Sequence, residues 1–215
     1  MAIADQLEAL VRAEFSDLKP AEVKVVRAAT TTRQAQCGPQ ADVADPSNNP
    51  EYSEAGDPAT GVAAWGIDRE VRADVIRWLC TQEEAKKRID PRGIQLLGAR
   101  VTGELDLLHA TVSFPVSMVH CRVGPLFLND CQIPRLDLDG SCTGSIEADG
   151  ADIKQSVYLR RVQVSGNFTQ PCSDRRHCYM RRGQDPGRRR HRHLGGWNEG
   201  RRRRHAPDWK HAISV

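Results

Sequence analysis

The chain has 215 residues, enough for one or two domains, and 39% of them are apolar, below the roughly 45–50% usual for a globular chain. Part of it is therefore expected to lie outside a packed core, and no run approaches the ~18 apolar residues of a membrane-spanning helix. Net charge is only +3, but twelve Arg and one Lys face four carboxylates between Gln170 and Val215, a net of +9 that leaves −6 for the rest. The sequence describes an acidic body with a basic tail.

Residues 1–30 read as helical. Leu7, Leu10 and Val11 fall at i, i+3 and i+4, the spacing of one helix face. A second short helix is predicted from Pro20, a good first-turn residue, carrying Val23, Val26 and Arg27. Asp5, Glu8 and Glu14 near the N-terminus do not suit a secretory or transit segment, so a soluble, cytoplasmic protein is expected, at most peripheral to a membrane. Residues 31–64 are rich in Gln, Asp, Pro, Ser, Asn and Gly and read as a flexible linker. Order is predicted to resume over 65–93. Asp68 is a candidate N-cap, and Val71, Val75, Trp78 and Leu79 lie beyond it at helical spacing. Thr81 and Glu84 fit a capping box for a further short helix, ended by Asp90-Pro91-Arg92-Gly93. This amphipathic segment is the expected helical cap for the residues beyond Gly93.

Between Ile94 and Val164 apolar or small residues come in pairs with one outward residue between them. The series runs Ile94/Leu96, Ala99/Val101, Leu105/Leu107, Ala110/Val112, Val116/Met118, Cys121/Val123 and Leu126/Leu128, and continues with Cys131/Ile133, Leu136/Leu138, Ser141/Thr143, Ile146/Ala148, Ala151/Ile153, Val157/Leu159 and Val162/Val164. Of the steps between these fourteen pairs, ten are five residues and three are six. Such a step fits neither a helix nor one long strand. It fits a mainly β, right-handed quadrilateral solenoid over residues 94–168, with two inward side chains per wall and four walls per coil, about 3.5 coils in all. Taking every fourth pair stacks Ile94, Val116, Leu136 and Val157 on one wall and Leu105, Leu126, Ile146 and Phe168 on the opposite one. Ala99, Cys121, Ser141 and Val162, and Ala110, Cys131 and Ala151, lead the other two. Large residues on two opposite walls and smaller ones on the others suit dense packing. Gly98, Gly103, Gly124, Gly140, Gly144 and Gly150 fall at corners, where positive φ is expected.

The stretches LLGARVTGELDLLHA (96–110) and DLDGSCTGSIEADGADI (137–153) resemble the pentapeptide-repeat superfamily. Its motif is a small residue, a polar one, a Leu or Phe and two corner residues. The run Gly98-Ala99-Arg100-Val101-Thr102-Gly103-Glu104-Leu105-Asp106-Leu107 and the preceding Arg72-Ala73-Asp74-Val75-Ile76-Arg77-Trp78-Leu79 are also similar to a looser bacterial group commonly labelled oxidoreductase or membrane-associated oxidoreductase. The resemblance spans residues 65–168 and implies the solenoid architecture. It implies no catalytic residue, and the redox label has no counterpart motif, since no G-x-G-x-x-G run is present.

Candidate sites are few. The seven cysteines form no C-x-x-C pair, so reduced thiols are expected rather than a disulfide framework or zinc site. Cys121 and Cys131 fall in inward slots, whereas Cys142 is read as outward and alone. His109 and His120 lie at corners without enough further ligands for a metal. Asp106, Asp137, Glu147, Asp149 and Asp152 read as solvated. A DNA-mimicking acidic face is the other possibility, but residues 94–168 carry only eight acids against six bases. No cofactor is expected.

The inward pattern is read as stopping after Phe168. Residues 169–215 have too few apolar side chains for a core and read as disordered. Arg188, Arg189, Arg190, Arg201, Arg202, Arg203 and Arg204 form a possible polyanion-binding tail for nucleic acid or anionic membrane. A frameshift in a GC-rich gene is the competing origin, because Asp-Gly-Ala codons (GAC-GGC-GCC) read two nucleotides out of frame give Arg-Arg. The clusters at 175–176, 181–182 and 188–190 are spaced much like the corners. The sequence thus predicts a non-enzymatic repeat scaffold that binds an unknown protein partner on its faces. Alternatives are an accessory part of a membrane-associated redox system and nucleic-acid binding through the tail. A solenoid left open at its C-terminal end is expected to self-associate end to end.

Overall fold

The computed structural model describes residues 2–39 and 45–167, together with the backbone of Cys178–Tyr179. In chain order the elements are α1 (Ile3–Glu14), α2 (Pro20–Ala29), β1 (Ala35–Gln36), β2 (Glu70–Arg72), α3 (Ala73–Thr81) and α4 (Glu83–Lys86). Next come the strands β3 (Ile94–Leu97), β4 (Arg100–Thr102), β5 (Leu105–Asp106), β6 (Val116–Val119), β7 (Arg122–Val123) and β8 (Leu126–Phe127). The last are β9 (Gln132–Asp137), β10 (Cys142–Thr143), β11 (Ile146–Glu147), β12 (Asp152–Tyr158), β13 (Gln163–Val164) and β14 (Cys178–Tyr179).

These strands stack into a parallel β-solenoid of about three turns. The first wall is the sheet β1-β3-β6-β9-β12-β14, the second is β2-β4-β7-β10-β13 and the third is β5-β8-β11. The fourth is marked by the bridge Thr111–Gln132 and the pairing of Ile133 with Ile153. The register matches the columns read from the sequence. Ile94 lies beside Val116, Val116 beside Leu136 and Leu136 beside Val157, while Leu105, Leu126 and Ile146 form the third-wall column. Leu96, Val101, Leu105, Leu107, Val116, Cys121, Leu126, Leu128, Cys131, Leu136, Leu138, Ile146, Ile153 and Val157 are all buried, and Leu159 is partly so. Successive residues of a strand point to opposite faces, so one residue between two inward ones must face out. Phe168 lies outside the described residues, as do the seven tail arginines from Arg188 to Arg204.

The structure corrects the sequence reading at several points. Residues 31–39 and 45–64 are not a linker. Ala35 and Gln36 pair with Leu96 and Leu97 as the first strand of the first wall, and Asn48, Pro50, Ser53 and Trp65 are buried. Asp68 does not cap a helix, because Glu70-Val71-Arg72 is extended and pairs with Arg100-Val101-Thr102. Val71 is therefore the first inward residue of the second wall, and α3 begins only at Ala73, with Arg72 at its N-cap. Its buried face carries Val75, Ile76 and Leu79, with Trp78 partly buried against Phe15. No capping box forms at Thr81, whose hydroxyl donates to the Arg77 carbonyl instead. The pairing also continues past Phe168, since β14 sets Cys178 beside Val157, one coil length further on.

The N-terminal end of the solenoid is covered by two helices. α2 packs on β1, β2 and β3, and α3 packs on β2 and β5. α1 lies on α2 through Leu7 and Val11, and Glu8 accepts hydrogen bonds from Arg12 and Arg27 at 2.9 and 2.7 Å. The tie from cap to coil is Glu22 of α2, whose carboxylate is fully buried. It accepts from Arg72 Nε at 2.7 Å, Arg72 Nη2 at 2.8 Å, the Arg72 backbone N–H at 2.9 Å and the Lys19 N–H at 2.8 Å. A buried charge with every lone pair occupied is tolerated; one that loses its partner is not. No helix among the described residues is long and apolar enough to cross a membrane.

Corners decide which residues may turn the chain. Gly98, His120, Gly140 and Arg161 stack at one corner and His109, Asp130 and Gly150 at another, and all seven have φ between +49° and +70°. Gly124 and Gly144 do not share that backbone, contrary to expectation. They are glycine for closeness: a Cβ on Gly124 would overlap the Gly103 carbonyl oxygen, and one on Gly144 would stand 2.9 Å from Pro125 N.

This packing leads to measurable outcomes. Gly124→Ala should destabilise the fold by about 1–3 kcal/mol in urea denaturation, because backbone must move, whereas His120→Gly should be neutral or stabilising, since it relieves a left-handed non-glycine residue. For Glu22, burial pushes the carboxyl up, but the hydrogen bonds from the Arg72 side chain and from the Lys19 and Arg72 backbone outweigh it and hold the group below its usual value of 4.5. Its contribution is complete above the unfolded value and is lost as pH falls through the folded one. Glu22→Gln should cost about 3 kcal/mol at neutral pH and flatten the loss of stability between about pH 6 and 3, measured by urea titration at each pH.

Candidate interaction surface

The side chains with chemical potential sit mostly inside the coil. Cys121 and Cys131 are fully buried in their columns, and Ser141 and Thr143 occupy inward slots beside them. Ser141 Oγ donates to the Met118 carbonyl at 2.7 Å and accepts from the Cys121 N–H at 2.9 Å, so it bridges two coils. Burial pushes the Cys37 and Cys131 thiols up to about 11 and Cys80 to about 12, and raises Cys121 as well. A thiol held protonated is neither a nucleophile nor a ready metal ligand. Among the described residues no three His, Cys, Asp or Glu side chains are grouped to hold a metal ion.

The two histidines noted in the sequence occupy different corner columns. His109 is exposed, with Nδ1 3.6 Å from the Asp130 carboxylate. His120 is partly buried beneath Gly140, and burial, with Arg161 nearby, lowers its pKa. Neither geometry assembles a catalytic group.

The outward rows differ from wall to wall. The first wall places Gln95, Ser117, Asp137 and Tyr158 at its outward positions on successive rungs, but Asp137, expected to be solvated, is buried, because Arg135 folds over the wall to bind it. Arg135 stacks over Tyr158 at 4.4 Å and reaches Asp137 at 3.0 Å. Arg160 lies over the same ring at 5.6 Å and binds Asp139 through Nε at 2.6 Å. The third wall presents Asp106, Phe127 and Glu147, with exposed Leu108 at its rim.

The second wall is covered. Its outward row runs Arg100, Arg122, Cys142 and Gln163, and the segment 45–66 reaches it through Glu51 and Glu54. Glu54 binds Arg122 at 3.1 Å, and Glu51 accepts from the Gln163 amide. Cys142 is thus outward from the coil but buried, its thiol 3.5 Å from the Gln163 side-chain oxygen; the expectation of an outward, isolated thiol is corrected by this cover. The segment begins with two short capped turns. Asp45 accepts from the Ser47 N–H at 2.8 Å and Asn49 from the Glu51 N–H at 3.1 Å, each with Pro at the first turn position. Asp-Pro and Asn-Pro were the signals in the sequence that this stretch is built rather than free. Trp65 Nε1 and Arg69 Nη1 both donate to the Ser47 carbonyl, at 3.0 and 2.8 Å, and the Arg69 guanidinium lies 4.7 Å over the Trp65 ring.

In the native protein at about pH 8, iodoacetamide should leave Cys37, Cys80, Cys121 and Cys131 unmodified, and denaturant should expose all four, read by peptide mass mapping. Rapid native labelling of Cys121 or Cys131 would contradict a purely packing role.

Comparison of the chain with protein-family models, with curated proteins and with solved structures found no match.

Proposed function

We propose that the chain is a binding scaffold without chemistry of its own, and that its solenoid walls hold a macromolecular partner. The observation that carries this reading is the division of residues between the two sides of each wall. Thiols and hydroxyls at Cys121, Cys131, Ser141 and Thr143 are spent on the core, while polar and aromatic side chains such as Ser117, Tyr158, Phe127 and Glu147 stand outward in rows set by strand register. Rows at the ~4.8 Å spacing of strands on a stiff frame make an extended surface whose partner groups are matched rung by rung.

The five-residue step and the two inward residues per wall support placing the coil in the pentapeptide-repeat class. Association with a membrane redox system rests on sequence resemblance alone, and polyanion binding rests on the Arg-rich residues after 169. The cytoplasm, or a membrane face reached through that basic segment, is the compartment this reading implies.

Photo-crosslinking from single outward positions, with purified full-length protein and cell extract, tests the scaffold. Crosslinks to one partner should fall on positions of the same row, such as Asp106, Phe127 and Glu147, or Gln95, Ser117 and Tyr158. Crosslinks scattered over unrelated positions would sink the reading. A flavin or nicotinamide absorbance that stays with the purified chain would transfer support to the redox alternative.

A further inference from the structure

The cover on the second wall is held unevenly. Its start is locked in place: Asn48 is fully buried, a Cβ on Gly98 would stand 2.8 Å from its Oδ1, and Ser47 takes two hydrogen bonds from Trp65 and Arg69. Its middle reaches the wall through Glu54 to Arg122 and Glu51 to Gln163. Glu54 is 68% exposed in that pair, and exposed ion pairs add little stability. The closed arrangement also buries Ser53 Oγ in the cover without a hydrogen-bond partner. An orphaned buried polar atom is a cost that opening to water removes. Weak contacts and uncompensated desolvation both favour release of the middle of the segment while its anchors stay.

Release would uncover a particular surface. Arg100 and Arg122 are neighbours on adjacent rungs, and each now holds a carboxylate of the chain, Glu70 and Glu54 respectively. Arg122 and Gln163 lie two rungs apart, or roughly 10 Å at the usual strand spacing. Glu51 and Glu54 bridge it from a turn, with Glu51 on the short helix Pro50–Tyr52 and the reach supplied by their side chains.

We propose that residues 45–66 form a displaceable strap, and that the second wall beneath it docks an acidic, turn-forming segment of a partner protein whose carboxylates replace Glu51 and Glu54. The strap is then an internal competitor, and its tether gives it a high effective concentration that a partner must overcome. This inference rests on the scaffold reading and assigns it one wall and one partner chemistry.

Cys142 reports the strap directly, because it is buried under it. In full-length protein, Glu51→Gln with Glu54→Gln should raise the native alkylation rate of Cys142, read by peptide mapping, on the order of five-fold, while Cys121 stays protected. The synthetic peptide corresponding to residues 45–58 should bind this variant more tightly than the parent protein. The same peptide with both glutamates replaced by glutamine should not. Arg122→Glu should loosen Cys142, and Arg122→Glu with Glu54→Arg should restore its protection, a rescue that general unfolding cannot produce. Unchanged Cys142 labelling in both opened variants overturns the strap and leaves the scaffold reading standing, because that reading is judged on the first and third walls. Labelling that rises without peptide binding overturns the acidic partner.

Discussion

Everything in this molecule depends on the register between coils. Parallel strands must pair residue for residue, so the inward side chains of one coil are stacked on those of the next, as in Ile94, Val116, Leu136 and Val157. A single-residue slip would turn an apolar row outward on its wall. Corners absorb the difference between five- and six-residue steps, and they can do so because left-handed residues and glycines in close contact recur at matching places, such as Gly98, His120, Gly140 and Arg161.

Such a coil is not self-sufficient at its first turn. Its opening edge exposes apolar side chains and unpaired backbone groups. Here the edge is closed from within the chain: β1 and β2 extend two walls by one rung, and α2 and α3 lie over them. The buried Glu22–Arg72 contact joins these layers, since Arg72 ends a strand of the coil and Glu22 lies in the covering helix. The contact ties the strand that opens the second wall directly to the covering helix.

The same geometry separates structure from function. Inward positions tolerate only what packs, so thiols there are held protonated and hydroxyls bond backbone carbonyls. Charged and aromatic side chains such as Glu147 and Phe127 fall to the outward rows. On the second wall the covering segment supplies its own carboxylates to Arg122 and to the Gln163 amide.

The repeat was legible because it is local. A five-residue step with paired apolar residues states which side chains face in, and strand alternation and stacking then result from backbone geometry alone. The helices at Leu7–Val11 and from Pro20 were legible for the same reason. What tertiary structure decided is non-local. Val71 reads as helical by spacing, yet Arg100, Val101 and Thr102 offer an open strand edge beside it, and pairing with that edge outweighs a weak local preference. Residues 45–64 look like linker by composition, because few of them are apolar; their order comes from Asn48, Trp65 and two carboxylates finding partners on a surface that exists only once the coil has formed. Gly124 looks like a flexible corner, and only the stacked carbonyl of Gly103 shows that it is small because there is no room.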